Sequence, residues 1–343
     1  MKKNSKRLKG LIIGFGSIGQ RHFHNLKKLD IEMAVCDVNK NQLKKVPEKL
    51  TSKRFHDLDS ALLFTPDFSI ICTFPDTHLD IANKCLKANS HVFIEKPISN
   101  SLIDVEKTLL YANYKRLKVA VGYNMRFDPG LNLMKKLLQS NNSIPLSVQS
   151  QWGLHISKWQ PRKNFEHHYF LKKGNGIILD DSHEYDYLRW ILNDEVTHVY
   201  CQTNKMKSIK TETESNAIIN LRFHKETIGT IIMDYVRPNY ERSCHIITKK
   251  SDLKWKFILD STKGNYQTRC ESIIKKTNIT SKSQILEKFK IKLNDMYAKE
   301  ILHFLHCITN NNKPIIDGCE GLKTLRIGLA AIKSSRENRI IRL

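Results

Sequence analysis

Apolar residues in the first third of the chain fall into short unbroken runs. Leu11-Ile12-Ile13, the stretch 31–36, Ile70-Ile71-Cys72 within 68–73, Val92-Phe93-Ile94 within 91–95 and Val119-Ala120-Val121 within 118–122 read as strands buried on both faces. A shorter strand is expected at 53–56. Helical stretches fall between them, from Ser17 onward, near Asn39, over 58–64, through Cys85, and over 101–114. Strands alternating with helices of this length predict a doubly wound parallel sheet.

The pattern changes near Tyr123. Longer segments at 147–154, 198–203, 216–223, 227–236 and 244–248 read as strands, and the middle three carry the β-branched, alternating composition of antiparallel strands. A helix is expected over 181–192. Two more close the chain over 293–309 and 320–334, with apolar spacing such as Ile301, Leu302, Phe304 and Leu305. The lysine- and serine-rich stretch 261–284 reads as a loop or a poorly packed excursion. The expected fold is therefore an α/β Rossmann domain over 1–122, followed over 123–343 by an α+β domain with a large, mostly antiparallel open sheet. The closing helices at 293–334 are candidates to pack back on the first domain.

The first strand runs straight into Gly14-Phe15-Gly16-Ser17-Ile18-Gly19. This G-x-G-x-x-G sits between a strand and a helix, and Asp37 ends the second strand 18 residues after Gly19. That is a dinucleotide fingerprint with its ribose-binding acid. Gly14 permits the tight turn, Gly16 lets the backbone approach a pyrophosphate, and Gly19 lets the helix pack against the strand. The pyrophosphate meets free N–H groups at the helix N-terminus. Asp37 favours NAD over NADP, because a carboxylate repels a 2′-phosphate; nearby Lys40 works the other way.

Composition narrows the field further. The formal charge is +23, but the basic residues are spread along the chain. They read as solvated faces rather than a nucleic-acid site, the densest stretch being 275–292. No apolar run reaches the ~18 residues of a membrane span. The basic N-terminus leads directly into the first strand rather than a secretory signal, so a cytoplasmic protein is expected. The eight cysteines form no C-x-x-C or zinc-like spacing and read as buried thiols.

Three further motifs carry candidate chemistry. Glu95-Lys96-Pro97 ends a parallel strand, where ligands bind in open α/β sheets. A lysine there can trade a proton with a substrate hydroxyl, and the proline permits a cis bond and a rigid turn. The next strand ends in Gly122-Tyr123-Asn124-Met125-Arg126-Phe127-Asp128-Pro129. Here Asn124 and Arg126 are candidate donors to substrate, or Arg126 an ion pair across the domain boundary. In Gly174-Asn175-Gly176-Ile177-Ile178-Leu179-Asp180-Asp181-Ser182-His183-Glu184-Tyr185-Asp186, His183 lies three residues from both Asp180 and Asp186. A histidine with a carboxylate partner makes a general base; a capping aspartate beside a buried histidine is the plainer alternative. No second histidine cluster completes a metal site, since His167 and His168 are adjacent, so no metal is expected. Trp152, His155, Trp159 and Tyr169 are candidates to stack on a sugar ring or to pack in the core.

In this order the motifs resemble the Gfo/Idh/MocA family of nicotinamide-dependent sugar and cyclitol oxidoreductases, over nearly the whole chain. The resemblance extends to the turn 75–78 and to the closing helix with Ala330, Ala331 and Ser334. It implies that Lys96 and His183 work on the substrate hydroxyl with Asp180 assisting, and that the site lies between the domains. Gly14, Phe15, Gly16, Ser17, Ile18, Gly19, Asp37, Thr73, Pro75, His78, Glu95 and Lys96 would serve the cofactor, NAD rather than NADP. Lys96, Tyr123, Asn124, Arg126, Trp159 and His183 would serve a sugar or nucleotide-sugar substrate. A homodimer or homotetramer is implied, with no nucleic-acid or membrane partner. Two departures stand out. The Asp180-to-His183 spacing is one residue shorter than in many members, a form that looks like a subgroup associated with surface-polysaccharide and nucleotide-sugar pathways, and Asn175 replaces a usual glycine. An NAD-assisted glycosidase and a non-catalytic NAD-binding regulator remain as alternatives.

Overall fold

The computed structural model describes residues 7–47, 53–140, 144–159, 176–206, 211–261, 266–280 and 282–343. The chain forms two compact units, Met1–Tyr123 with Tyr297–Lys323 and Asn124–Met296 with Thr324–Leu343. No helix among the described residues is long and apolar enough to cross a membrane.

The first unit is built on β1 (Leu8–Ile13), β2 (Ile31–Cys36), β3 (Lys53–Phe55), β4 (Phe68–Ile71), β5 (His91–Glu95) and β6 (Val119–Gly122). They form one sheet in the order β3-β2-β1-β4-β5-β6, and every pairing is parallel. Leu11, Ile12, Ile70, Ile71 and Ile94 are wholly buried, as apolar runs in a two-faced sheet must be. Each such side chain contributes about 1.5–3 kcal/mol of transfer free energy. The connecting helices are α1 (Ser17–Leu26), α2 (Lys40–Leu43), α3 (Leu58–Leu62), α4 (His78–Lys87) and α5 (Val105–Tyr114). Local side chains start two of them: Asn39 accepts from the Asn41 N–H, and Asp57 accepts from the Ser60 N–H. Farther along the chain, α10 (Leu293–Thr309) contributes Ile301, Phe304 and Leu305 to the same core, with Phe304 edge-on to Phe93 at 5.6 Å.

The second unit contains β7 (Pro145–Gly153), β8 (Val196–Asn204), β9 (Asn216–Phe223), β10 (Ile228–Asp234), β11 (Glu241–Thr248), β12 (Ser251–Leu259), β13 (Arg269–Asn278), β14 (Gln284–Lys292) and β15 (Ile341–Arg342). Their order is β14-β13-β12-β11-β7-β10-β9-β8-β15. Only β7 and β10 pair in parallel, among the described pairs. Strand β9 shows the governing period of two: Ala217, Ile219, Leu221 and Phe223 are buried and their neighbours are not. The buried face packs against α6 (Pro129–Ser140), α9 (His183–Leu192) and the later part of α11 (Gly318–Glu337). Two other short helices, α7 (Ile156–Trp159) and α8 (Gly176–Asp180), lie near the strand ends.

Several expectations need correction. The stretch 261–284 is not a loop; all of β13 lies within it, and Cys270, Ser272 and Ile274 alternate inward. Its inward positions hold only Cys270, Ser272 and Ile274, and the register shift after Ile274 breaks the alternation at Lys275-Lys276, which masks the strand in the sequence. Strands β12 and β14 and helix α6 were not anticipated. The basic stretch 275–292 runs along the β13–β14 pair, where Lys288 is bridged to Glu271 at 2.7 Å. The helix expected over 181–192 begins at His183, and Asp181-Ser182 form a turn after α8. All eight cysteines are free thiols and all but Cys319 are buried. Burial pushes the Cys36 thiol up to about 12 and that of Cys85 up to about 11, which keeps them unreactive.

Asp128, from the Gly122 motif, is a structural carboxyl. It is fully buried and accepts from the Leu131 N–H, the Ser272 hydroxyl and the Trp255 indole N–H at 2.8, 2.8 and 3.0 Å. Burial raises it to about 6 despite these donors. Trp255→Phe removes one donor from a buried carboxyl, which costs about 1–3 kcal/mol. The expected result is a lower denaturation midpoint with an unchanged m-value; an unchanged midpoint would show that the indole bond is dispensable.

Candidate active site

In the first unit the sheet order reverses between β2 and β4 around β1, and the candidate cofactor loop follows β1. Gly14 has φ +87°, and a Cβ there would lie 2.8 Å from the Cys72 carbonyl, at the end of β4. At Gly19 a Cβ would lie 2.0 Å from the Gly14 carbonyl oxygen, so α1 can approach the loop only without a side chain. Above Gly16 a Cβ would meet nothing within 4 Å. Helix α1 begins there with no side-chain cap and no acidic residue in its first turn. An uncapped N-terminus with open space over it fits the pyrophosphate of a dinucleotide. Asp37 accepts from the Phe15 N–H at 2.6 Å and from the Asn39 N–H at 2.7 Å, so the acid also braces the loop. Ser17 is exposed and Ile18 half-buried on that first turn.

The β4 and β5 ends are joined by His78. Its Nδ1 lies 2.9 Å from the Pro97 carbonyl and its Nε2 3.2 Å from the Thr73 carbonyl. The ring is buried, and burial lowers its pKa below the ordinary imidazole range despite those two contacts. His78 thus works inside the protein, tying Thr73 to the Lys96-Pro97 turn. The Lys96–Pro97 peptide is cis. Lys96 is half-buried, Pro75 is buried, and Glu95 is buried with its Oε1 2.6 Å from His22 Nε2. Tyr123 ends this unit's first segment with its side chain fully buried.

In the second unit His183 opens α9, whose first turn contains Glu184 and Asp186. Both acids are held by arginines. Asp186 binds Arg126 through a two-pronged pair at 2.7 and 2.8 Å and also accepts from Thr324. Glu184 and Asp181 are both held by Arg242, at 2.9 and 2.5 Å. The Arg126 ion pair lies wholly within this unit, and its guanidinium is engaged by Asp186 rather than turned to solvent. Asp180 ends α8 and accepts from the hydroxyl of Tyr235, itself fully buried. Burial first, and then Asp180, keep that phenol protonated, so it donates. His183 itself is about 8 % exposed, and Asn124 is buried.

Tyr235, Arg242 and Thr324 were not anticipated. Each belongs to a segment without a motif, and only the chain's return at β10, β11 and α11 brings them to α8 and α9; Glu184 lies in the quoted motif but carried no assigned role. Gly174, Asn175, His167, His168 and Tyr169, and the Trp159 side chain, lie outside the described residues. Trp152 is core, edge-on to Tyr235 at 6.0 Å, and His155 bonds to Ser157.

Comparison with known proteins agrees with this architecture. Residues 8–123 match the model of the oxidoreductase family with an NAD-binding Rossmann fold, and residues 152–343 match that family's C-terminal alpha/beta domain. The chain is 26% identical over 343 residues to myo-inositol 2-dehydrogenase of Thermotoga maritima, covering 97% of each. Its fold resembles scyllo-inositol dehydrogenase from Lactobacillus casei, solved with NAD(H) and scyllo-inositol, at a TM-score of 0.79 and 20% identity over 98% of this chain and 99% of that one. It also resembles a Bordetella pertussis dehydrogenase solved with NADH and UDP-GlcNAcA, at a TM-score of 0.78, 20% identity and the same coverage.

The two loop glycines should separate experimentally. Gly16→Ala fits the backbone, whose φ is −68°, and meets open space. It should leave thermal stability unchanged and weaken NADH binding at least ~10-fold, about 1.4 kcal/mol. Gly19→Ala forces α1 away from the loop and should cost about 1–3 kcal/mol of stability as well. Fluorescence titration with NADH and thermal melts check both; equal NADH affinity in Gly16→Ala and wild type would remove Gly16 from the pyrophosphate site.

Proposed function

The chain belongs to the Gfo/Idh/MocA oxidoreductase family and carries its NAD-binding domain, and from that premise we propose that it oxidises a ring CH–OH group of a cyclitol or sugar, reversibly. The observation that carries the reading is the loop after β1. Its helix end is uncapped and open over Gly16, and Asp37 stands at its side. A bound NAD supplies the hydride acceptor at nicotinamide C4. Every other task falls to side chains of this protein.

Lys96 and His183 act on the substrate hydroxyl, one removing its proton and the other holding its oxygen. Lys96 suits this role because β5 ends at Glu95 and the turn behind it is tied down by His78. His183 suits it because α9 starts at that residue and both arginines grip the helix's first turn. Asp180 is fixed by Tyr235 and assists from the preceding turn. Arg126 positions α9 through Asp186 rather than contacting substrate.

The full-length similarity to a myo-inositol 2-dehydrogenase favours a ring polyol without a nucleotide handle. A nucleotide-sugar is the second reading, favoured by the bound UDP-GlcNAcA of the Bordetella neighbour. Nicotinamide absorbance with inositols, free sugars and UDP-, GDP- and CMP-sugars tests both. We expect turnover with at least one, reduced about 10²–10⁴-fold in Lys96→Ala and in His183→Ala. Tight NADH binding without net turnover of any of them would overturn the reading in favour of a regulator, or, if a glycoside is cleaved, of an NAD-assisted glycosidase.

Coenzyme choice gives an independent check. Asp37→Ser removes the charge that repels a 2′-phosphate, so the ratio of kcat/KM for NAD to that for NADP should fall by about tenfold or more. An unchanged ratio would deny Asp37 the ribose role.

A further inference from the structure

The first unit buries a cluster of acids that the reaction described above does not use. His22 of α1, Glu95 of β5 and Glu300 of α10 each offer a ligand atom within 4.8 Å of the others. All three are buried, His22 completely and Glu300 to 2 % exposure. His22 and Glu95 are bonded at 2.6 Å. Neither carboxyl oxygen of Glu300 has a hydrogen-bond partner among the described residues. Glu95 is confined on another side too: a Cβ at Gly122 would lie 3.1 Å from its Oε1.

We propose that Glu300 is a positioning residue, kept as a neutral carboxylic acid, that completes a buried His22–Glu95–Glu300 chain and so fixes the turn carrying Lys96. The argument starts from charge. Two carboxylates this close and this buried cannot both ionise cheaply. The imidazole of His22 faces Glu95 and satisfies that carboxyl. Glu300 is left with burial and the field of Glu95, both of which favour its protonated form, and only Arg21 opposes them. Arg21 is also drawn to the ring of Tyr297, 4.5 Å away on the same helix as Glu300. Cys72 is a further titratable neighbour, and burial and the field of Glu95 hold its thiol protonated. A neutral Glu300 has an O–H to offer Glu95, whose carboxyl has lone pairs beyond the one that meets His22.

The placement gives the chain its consequence. His22 lies three residues beyond Gly19, on the helix that starts at the cofactor loop. Glu95 directly precedes Lys96. A rigid Glu95 therefore holds the Lys96 peptide in register with that loop. The positioning part of this inference rests on the dehydrogenase reading; the protonation of Glu300 does not.

Glu300→Gln tests the protonation, because glutamine keeps the shape of the neutral acid and cannot ionise. An acid whose folded pKa is raised holds a proton that the unfolded chain releases. Its stabilisation is complete below the unfolded value, about 4.3, and is lost as pH rises toward the folded one. Melting temperatures of wild type and Glu300→Gln should coincide near about pH 5 and diverge toward about pH 8, wild type becoming the less stable. The infrared carbonyl band of protonated carboxylic acids, recorded near pH 7, should be weaker in the variant than in wild type by the share of one carboxyl. Parallel melting curves, a band of unchanged intensity, or a stoichiometric divalent metal in the purified protein would overturn the proposal. For positioning, Glu95→Gln should lower kcat by about tenfold or more while the KM for NAD changes less than about threefold. Unchanged kcat would overturn that part. Failure to find any substrate leaves the melting and infrared results to decide the protonation on their own.

Discussion

Two buried arginines hold the candidate chemistry of the second unit in place. Arg126 grips Asp186, and Arg242 grips Glu184 and Asp181, all within or beside the first turn of α9. A buried carboxylate without a partner is costly by several kcal/mol, so these acids enter the interior only because the guanidinium forks meet them. The helix cannot slide or rotate without breaking both pairs. Its first residue, His183, inherits that rigidity. Thr324 adds a bond to Asp186 and another to Arg189, which extends the lock to the start of the final chain segment.

The first unit solves a different problem, that of close approach. Its loop works because side chains are missing where backbone meets backbone, at Gly14 and Gly19, and where a ligand would arrive, at Gly16. The same economy recurs at Gly122, where the Glu95 carboxyl occupies the space a side chain would need. Polar groups then fill the gaps that glycine leaves. Asp37 braces the loop from one side, and His78 ties the neighbouring strand ends together from the other. Steric permission and hydrogen-bond satisfaction thus act on the same few residues, which is why the fingerprint is so compact.

The strands of the parallel sheet were legible because burial on both faces demands unbroken apolar runs, and little else in a sequence looks like Ser69-Ile70-Ile71-Cys72. The antiparallel sheet was legible only in part. Strand β9 alternates cleanly, whereas β13 has only Cys270, Ser272 and Ile274 inward and β14 turns Lys288, Lys290 and Lys292 outward, which hides both strands. Helix α6 escaped notice between a proline and a polar tail, although Leu131, Met134 and Leu138 keep helical spacing.

What the sequence determined by itself was local: the strand–turn–helix of the glycine loop, the acid at the end of β2, the turn after β5, and the residue types from Asp180 to Asp186. Each follows from backbone sterics or from periodicity within a few residues. Tertiary structure alone decided who partners whom. Arg126, 60 positions from Asp186, forms a two-pronged pair with that carboxylate, and Tyr235, 55 positions from Asp180, donates to that one. Glu300 meets Glu95 across some two hundred residues. Buried charges settle with whichever group the packed fold brings within hydrogen-bond reach, and that proximity is a property of the folded core rather than of neighbouring letters.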